Sequence, residues 1–267
     1  MKTMLVKPGS KVNLDDHNPD FHEGLDKDDP EVERRRDRAL ERTCELQEAL
    51  FAEARQSLLI VLQAMDTGGK DGVINHVMRG LNPQGVHVRS FKVPTPEELA
   101  HDFLWRVHQR VPARGHITVF NRSHYEDVLV VRVHELVPEN MWRKRYEQIN
   151  EFEQLLAENG TRILKLFLHI SKDEQKQRLQ ERLDDPSKHW KFSVGDLEER
   201  KLWDHYMRAY EDALTECSTE TAPWHIVPAN RKWYRNLVIS ELLAEVLAEM
   251  DPQLPKADFD PSQVVIE

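Results

Sequence analysis

The chain has 267 residues, 39% hydrophobic and 31% charged, with 37 Lys and Arg against 47 Asp and Glu and a net charge of −10. That length can bury one large core, no apolar run approaches the ~18 residues of a membrane span, and two cysteines, Cys44 and Cys217, are too few for a disulfide framework or a zinc site. The acidic balance argues against a surface that binds nucleic acid, and with no signal-peptide apolar stretch at its start the chain is expected in the cytoplasm, its thiols reduced.

Residues 1–29 are polar and net acidic, with turns at Pro8-Gly9 and Asn18-Pro19, and read as an arm that lies on the body or stays mobile. Asp28 or Asp29 before Pro30 opens a helix carrying Ala39, Leu40, Leu46, Ala49, Leu50 and Ala54 on one face, and the Arg34-Arg35-Arg36 run is its solvated edge. Leu58–Leu62 is then a short uninterrupted apolar run, as expected of a strand covered on both faces. Similar runs follow at 86–91, 117–120 and 163–170, with a weaker one at 224–227.

Helical segments alternate with these runs. Thr95-Pro96-Glu97-Glu98 is a capping box opening a helix toward Val111, and Ser171-Lys172-Asp173-Glu174 opens another toward Leu183. Longer helical patterns cover about 139–158, 196–217 and 231–250, and a tail with Pro252, Pro255 and Pro261 closes the chain over 252–267. The alternation predicts one α/β domain over 30–251, with a parallel sheet between two layers of helices and ligands at the carboxyl ends of its strands.

The loop after the first strand carries the strongest chemistry. Ala64-Met65-Asp66-Thr67-Gly68-Gly69-Lys70-Asp71-Gly72 runs from a buried strand into an amphipathic helix bearing Val73, Ile74, Val77 and Met78. Glycines let backbone N–H groups converge on phosphate oxygens, the helix start adds a positive dipole end, and lysine adds a full charge. The usual first glycine is Ala64 here and the usual Ser/Thr is Asp71. A magnesium ion would therefore need another oxygen, and Asp66 can supply it.

Two further segments add to this loop. Phe120-Asn121-Arg122-Ser123-His124-Tyr125-Glu126-Asp127 follows a strand at the position where such enzymes place a metal-assisting acid; here it is Asn121, with Glu126 and Asp127 close behind. Arg178 and Arg182, four apart on one helix face, lead into Asp185-Pro186-Ser187-Lys188-His189-Trp190-Lys191-Phe192, a polar loop suited to a lid over phosphates. Residues 70–122 hold eight basic and four acidic side chains, so an acidic chain has a cationic middle. No zinc-protease helix, serine elbow or catalytic cysteine is present. Phosphoryl transfer to a phosphate needs none, because that acceptor is already ionised.

Together the three segments resemble the polyphosphate kinase 2 family, and the likeness extends from Lys7-Pro8-Gly9 to Ala229-Asn230-Arg231-Lys232-Trp233-Tyr234-Arg235. The resemblance implies a three-layer P-loop kinase fold with about five parallel strands and a helical lid over 178–195. It implies inorganic polyphosphate as donor, Mg²⁺ (with Mn²⁺ able to substitute), adenine nucleotides as acceptors and products, and a homo-oligomer. Asn121 together with Glu126 is similar to the class III branch, which accepts both AMP and ADP. By position, Asp66 would hold the metal and Lys70, Gly68, Gly69 and Asp71 the phosphates. Arg122 would clamp the transferring or acceptor phosphate, Arg178 and Arg182 would close from the lid, and Asn121 and Glu126 would tune the acceptor site. Lys92, Lys191 and Arg79 would lie along the polymer. The competing expectations are an ATP-dependent nucleoside monophosphate kinase and a non-catalytic polyanion-binding regulator; neither a nucleic-acid nor a membrane partner is expected.

Overall fold

A computed structural model describes residues 4–260, 263, 264 and 266; residues 1–3 of the expected arm, and 261 (the last proline), 262, 265 and 267 of the expected tail, lie outside the described residues. The five apolar runs are five strands: β1 (Ser57–Gln63), β2 (Val86–Ser90), β3 (Ile117–Asn121), β4 (Thr161–His169) and β5 (Trp224–Pro228). All pair in parallel, in the order β2-β3-β1-β4-β5. Every residue of the central β1 is buried, which is why its sequence is continuously apolar rather than alternating.

The helices are α1 (Pro30–Glu53), α2 (Lys70–Val77), α3 (Pro96–Leu99), α4 (Trp105–His108), α5 (Val130–Val133), α6 (Glu139–Glu158), α7 (Lys172–Asp184), α8 (Gly195–Lys201), α9 (Trp203–Glu216) and α10 (Lys232–Met250). α10 packs against both α1 and α2, while α5, α6 and α9 pack together as a second group. These are the two layers that enclose the sheet. Asp29 caps α1 by accepting from the Glu31 N–H at 2.8 Å, and Ser171 caps α7 through the Glu174 N–H at 3.1 Å.

Two expected helices are each divided. The Thr95–Glu98 capping box forms, but its helix ends after one turn at Leu99. The Asp102 carboxylate accepts from the Leu104 N–H at 3.0 Å, a local bond that starts a new turn in place of continuing the old one. The pattern over 196–217 breaks at Leu202, so that α8 buries nothing while α9 buries Trp203, Tyr206, Ala209 and Tyr210. Of the two alternatives for the arm, its described part lies on the body. Met4, Val6, Val12 and Leu14 join the core, and the Val6 N–H donates to the Trp224 carbonyl at 2.8 Å, covering the outer edge of β5.

Candidate active site

Leu62 of β1 stands opposite Asn121 of β3, so the loops leaving both strands emerge side by side at the carboxyl end of the sheet. Residues 64–69 form the first loop. A Cβ at Gly68 would lie 2.5 Å from the Ala64 Cβ, and Gly69 has φ +99° with the Arg235 guanidinium packed where its side chain would be. Both positions therefore need glycine. Thr67 is also left-handed (φ +64°), and its buried hydroxyl has no partner. Lys70, the first residue of α2, folds back over the loop: its Nζ donates to the Ala64 carbonyl at 2.8 Å and approaches that of Met65 at 3.5 Å. Burial, aided by Arg122 nearby, pulls its pKa down to about 8.

The second loop supplies a cation between two acids. Arg122 Nη2 donates to Asp66 Oδ1 at 2.8 Å, and its Nη1 lies 3.6 Å from Glu126 Oε2. Its backbone is left-handed at φ +63°, which costs a non-glycine residue roughly 1–2 kcal/mol. Burial raises the Glu126 pKa against the pull of Arg122 and Lys70. Asn121 Nδ2 donates to Asp71 Oδ1 at 2.7 Å. The Asp71 side chain is thus occupied by a neighbour, and only its backbone N–H, in the first turn of α2, is suited to a phosphate.

α7, the helix expected to lead into a lid, uses its two arginines differently. Arg178 is only 5% exposed. Its guanidinium donates to Glu174 Oε1 (2.7 Å), the Thr67 carbonyl (2.9 Å) and the carbonyls of Ala229 and Asn230 (2.6 and 3.0 Å). Three of these bonds lash the first loop to the β5–α10 connection, so Arg178 braces the loop while its guanidinium also lines the cleft. Arg182 sits one turn further along. It donates to the Lys191 carbonyl at 2.9 Å and reaches Asp196 at 3.4 Å, tying the 186–191 turn to α7.

These pieces meet in one cleft of about 1100 Å³. Asp66, Gly68, Gly69, Lys70, Asp71, Asn121, Arg122, Glu126, Arg178, Arg182, Lys92 and Lys191 all line it, whereas Arg79 does not. Eleven lysines and arginines face six carboxylates there, in a chain whose overall balance is acidic. Phe91, Val93, Leu99, Val130, Leu136, Val137 and Trp190 add apolar surface to the same cleft.

The match to known proteins follows this geometry. Residues 25–255 fit the family pattern described as polyphosphate kinase 2. The chain belongs to the polyphosphate kinase 2 family. It is 54% identical to the AMP/ADP-polyphosphate phosphotransferase of Meiothermus ruber, with 100% of each chain covered. It is 51% identical to the ADP-polyphosphate phosphotransferase of Rhodopseudomonas palustris, covering 81% of this chain and 79% of that one. The crystal structure of polyphosphate kinase 2 from Arthrobacter aurescens TC1 superposes with a TM-score of 0.92 at 49% identity, over 96% of this chain and 92% of that one. As a member of this family, the chain is a phosphotransferase with an α/β fold around a five-stranded parallel sheet.

Three cleft residues were not singled out as site residues from the sequence. Arg106 reaches the site from α4, donating to the Lys92 carbonyl at 2.9 Å, and Arg145 pairs with Asp127 at 2.8 Å from α6. Arg235 arrives from α10. No spacing rule connects these helices to the first loop, and only the fold brings them there.

Proposed function

We propose that the protein transfers a phosphoryl group between inorganic polyphosphate and adenine nucleotides, reversibly, with AMP and ADP as acceptors and ADP and ATP as products. One observation carries the reading: a glycine loop with its lysine, an arginine held between two carboxylates, and a lid arginine all converge on one cationic cleft. The full-length likeness to an enzyme named for both acceptors supports the choice of donor and acceptors.

Lys70 and the backbone N–H groups after Gly68 bind the donor phosphates, and Lys70 must leave its own loop carbonyls to do so. Arg122 is placed to hold the transferring or acceptor phosphate, with Asp66 and Glu126 fixing its guanidinium plane. Arg182 draws the 186–191 turn over the cleft and excludes water. The acceptor phosphate is already an anion at neutral pH, so no base is required, and catalysis is positioning and charge neutralisation.

The loop also fits a magnesium or manganese ion. Asp66 is a part-exposed carboxylate on the cleft wall, the Thr67 hydroxyl beside it is buried and unpartnered, and among the described residues no cluster of three or more acidic, histidine or cysteine groups forms a closed cage. Mg²⁺ is typically held by one or two carboxylates together with substrate phosphates and water. Bound there through Asp66, the ion would neutralise phosphate charge. A homo-oligomer and a cytoplasmic setting belong to the same reading.

The test is an assay of purified protein with AMP, Mg²⁺ and polyphosphate in the absence of ATP, followed by nucleotide chromatography. ADP and then ATP are expected. Activity only after ATP is added would point to an ATP-dependent monophosphate kinase, and saturable polyphosphate binding without turnover to a regulator. Lys70→Ala and Asp66→Ala should each slow transfer by roughly 10²–10³-fold, the usual effect of removing one charge-stabilising group, with unchanged circular dichroism. Near-normal turnover in either variant would overturn the site assignment.

A further inference from the structure

One cation beside the phosphate loop has no counter-ion. Arg235, in the first turn of α10, is 3% exposed. Its Nε and Nη2 both donate to the neutral Oδ1 of Asn236, at 3.1 and 2.8 Å. Other buried cations nearby have carboxylates: Arg178 pairs with Glu174, Arg106 with Glu98, Arg145 with Asp127 and Lys165 with Glu153. Among the described residues no acid pairs with Arg235, and the charge that acts on it is the like charge of Arg178. An isolated buried charge is costly, so its retention calls for an anion that is not part of the chain.

The geometry says where that anion binds. The Arg235 Nη1 occupies the space a Cβ on residue 69 would take, and its Nη2 lies 3.3 Å from where a Cβ on Gly72 would be. Two glycines, one at the N-cap of α2 and one in its first turn, thus admit a guanidinium against the backbone where the helix presents its free N–H groups. Arg235 lines the cleft there together with Gly69, Lys70 and Gly72. Burial lowers its pKa only to about 10, so it stays charged at neutral pH.

We propose that Arg235 is a pre-placed phosphate contact, whose missing counter-ion is a phosphate of the condensed-phosphate donor held in the loop. Oxygen atoms of the donor take the place that carboxylates take around the other buried cations. Because the side chain is already ordered and desolvated, it gives up little freedom on binding. This inference rests on the donor assignment proposed above.

The test is thermal unfolding of the full chain with and without sodium tripolyphosphate. The wild type should be stabilised by the anion. Arg235→Gln should unfold at the same or a higher temperature than wild type in anion-free buffer, because the unpaired charge is gone, and should lose most of the anion-induced rise. A lowered anion-free midpoint with the full rise retained would make Arg235 a structural residue and overturn the inference. Arg235→Lys, which keeps the charge but not the forked donor, should raise KM for polyphosphate at least fivefold and leave KM for AMP unchanged; equal changes in both would also overturn it. Absence of any anion-induced rise in the wild type would instead remove the donor assignment, and this inference with it.

Discussion

Lys70 is held against its own loop by the Ala64 carbonyl, and with a pKa near 8 it is close to losing its charge. On the proposal that the donor meets Lys70, a bound phosphate chain favours the ammonium and returns the pKa toward its ordinary value. Donor binding therefore takes up a proton wherever free Lys70 is neutral. The sign is fixed: affinity is constant well below pH 8 and falls about tenfold per pH unit above it. A calorimetric Kd for tripolyphosphate measured from pH 6.5 to 9.5 should bend near pH 8, and Lys70→Arg, charged throughout, should abolish the bend. A wild-type curve without a bend would mean that Lys70 does not meet the donor. The side-by-side placement of Lys70, Asp66 and Arg122 was legible in the sequence because each lies in, or immediately after, a short loop that follows a strand. The pairing of Asp71 with Asn121, fifty residues away, and the buried fate of Arg178 were not, since side-chain partners depend on which strands become neighbours. Arg235 was illegible for a different reason: an absent counter-ion leaves no mark on a sequence.

At the scale of elements, the second loop is held from below by a charge network that the apolar run of β4 conceals. Lys165, fully buried in the middle of that strand, uses all three ammonium hydrogens: on Glu153 of α6 at 2.5 Å, the Tyr125 hydroxyl at 2.8 Å and the Cys217 carbonyl at 2.6 Å. Tyr125 and His124 both bond Glu153 Oε1, at 2.9 and 3.1 Å. These two residues belong to the turn that carries Arg122 and Glu126, so the network positions that pair. Burial pushes the Glu153 pKa up, but Lys165 and His124 outweigh it and hold it below the ordinary 4.5. Its contribution to stability is accordingly complete above that pH and is lost as the pH falls further. Lys165→Met leaves Glu153 buried without its ammonium partner, keeping only the Tyr125 and His124 contacts, and should cost about 3–5 kcal/mol in urea unfolding; adding Glu153→Leu should recover most of that loss. A single-variant cost below about 1 kcal/mol would contradict the network. Periodicity located β1, β3, β4 and β5 because their burial imposes largely apolar runs, whereas β2, at the sheet edge and half-buried to exposed, shows only the alternating valines Val86 and Val88. The same periodicity gave single helices over 95–111 and 196–217 because apolar spacing does not register a side chain such as Asp102 closing a local turn on the Leu104 N–H, or a chain that bends at Leu202 to bury Trp203.

For the molecule as a whole, charge is arranged against its own average. A chain with a net charge of −10 repels a polyanion at long range, yet the cleft presents eleven cations to six acids. Low-dielectric walls focus that local field, and over distances beyond about 8 Å at physiological salt the acidic remainder is screened. Two opposite salt effects follow: added salt weakens the contacts inside the cleft and also weakens the repulsion outside it. Direct phosphate contacts dominate, because each releases counterions from a polymer that carries charge along its whole length. With three or more such contacts, raising KCl fourfold from 50 to 200 mM should raise KM for long-chain polyphosphate by roughly tenfold or more, by the slope known for single-stranded polyanions. AMP, with one phosphate and an apolar base for the wall around Phe91 and Leu136, should respond several-fold less. Kinetics at fixed Mg²⁺ with each substrate varied in turn would separate the two. If the AMP constant moved as steeply as that of the polymer, the cationic face of the cleft would be serving the nucleotide, and the donor chain would have to run elsewhere.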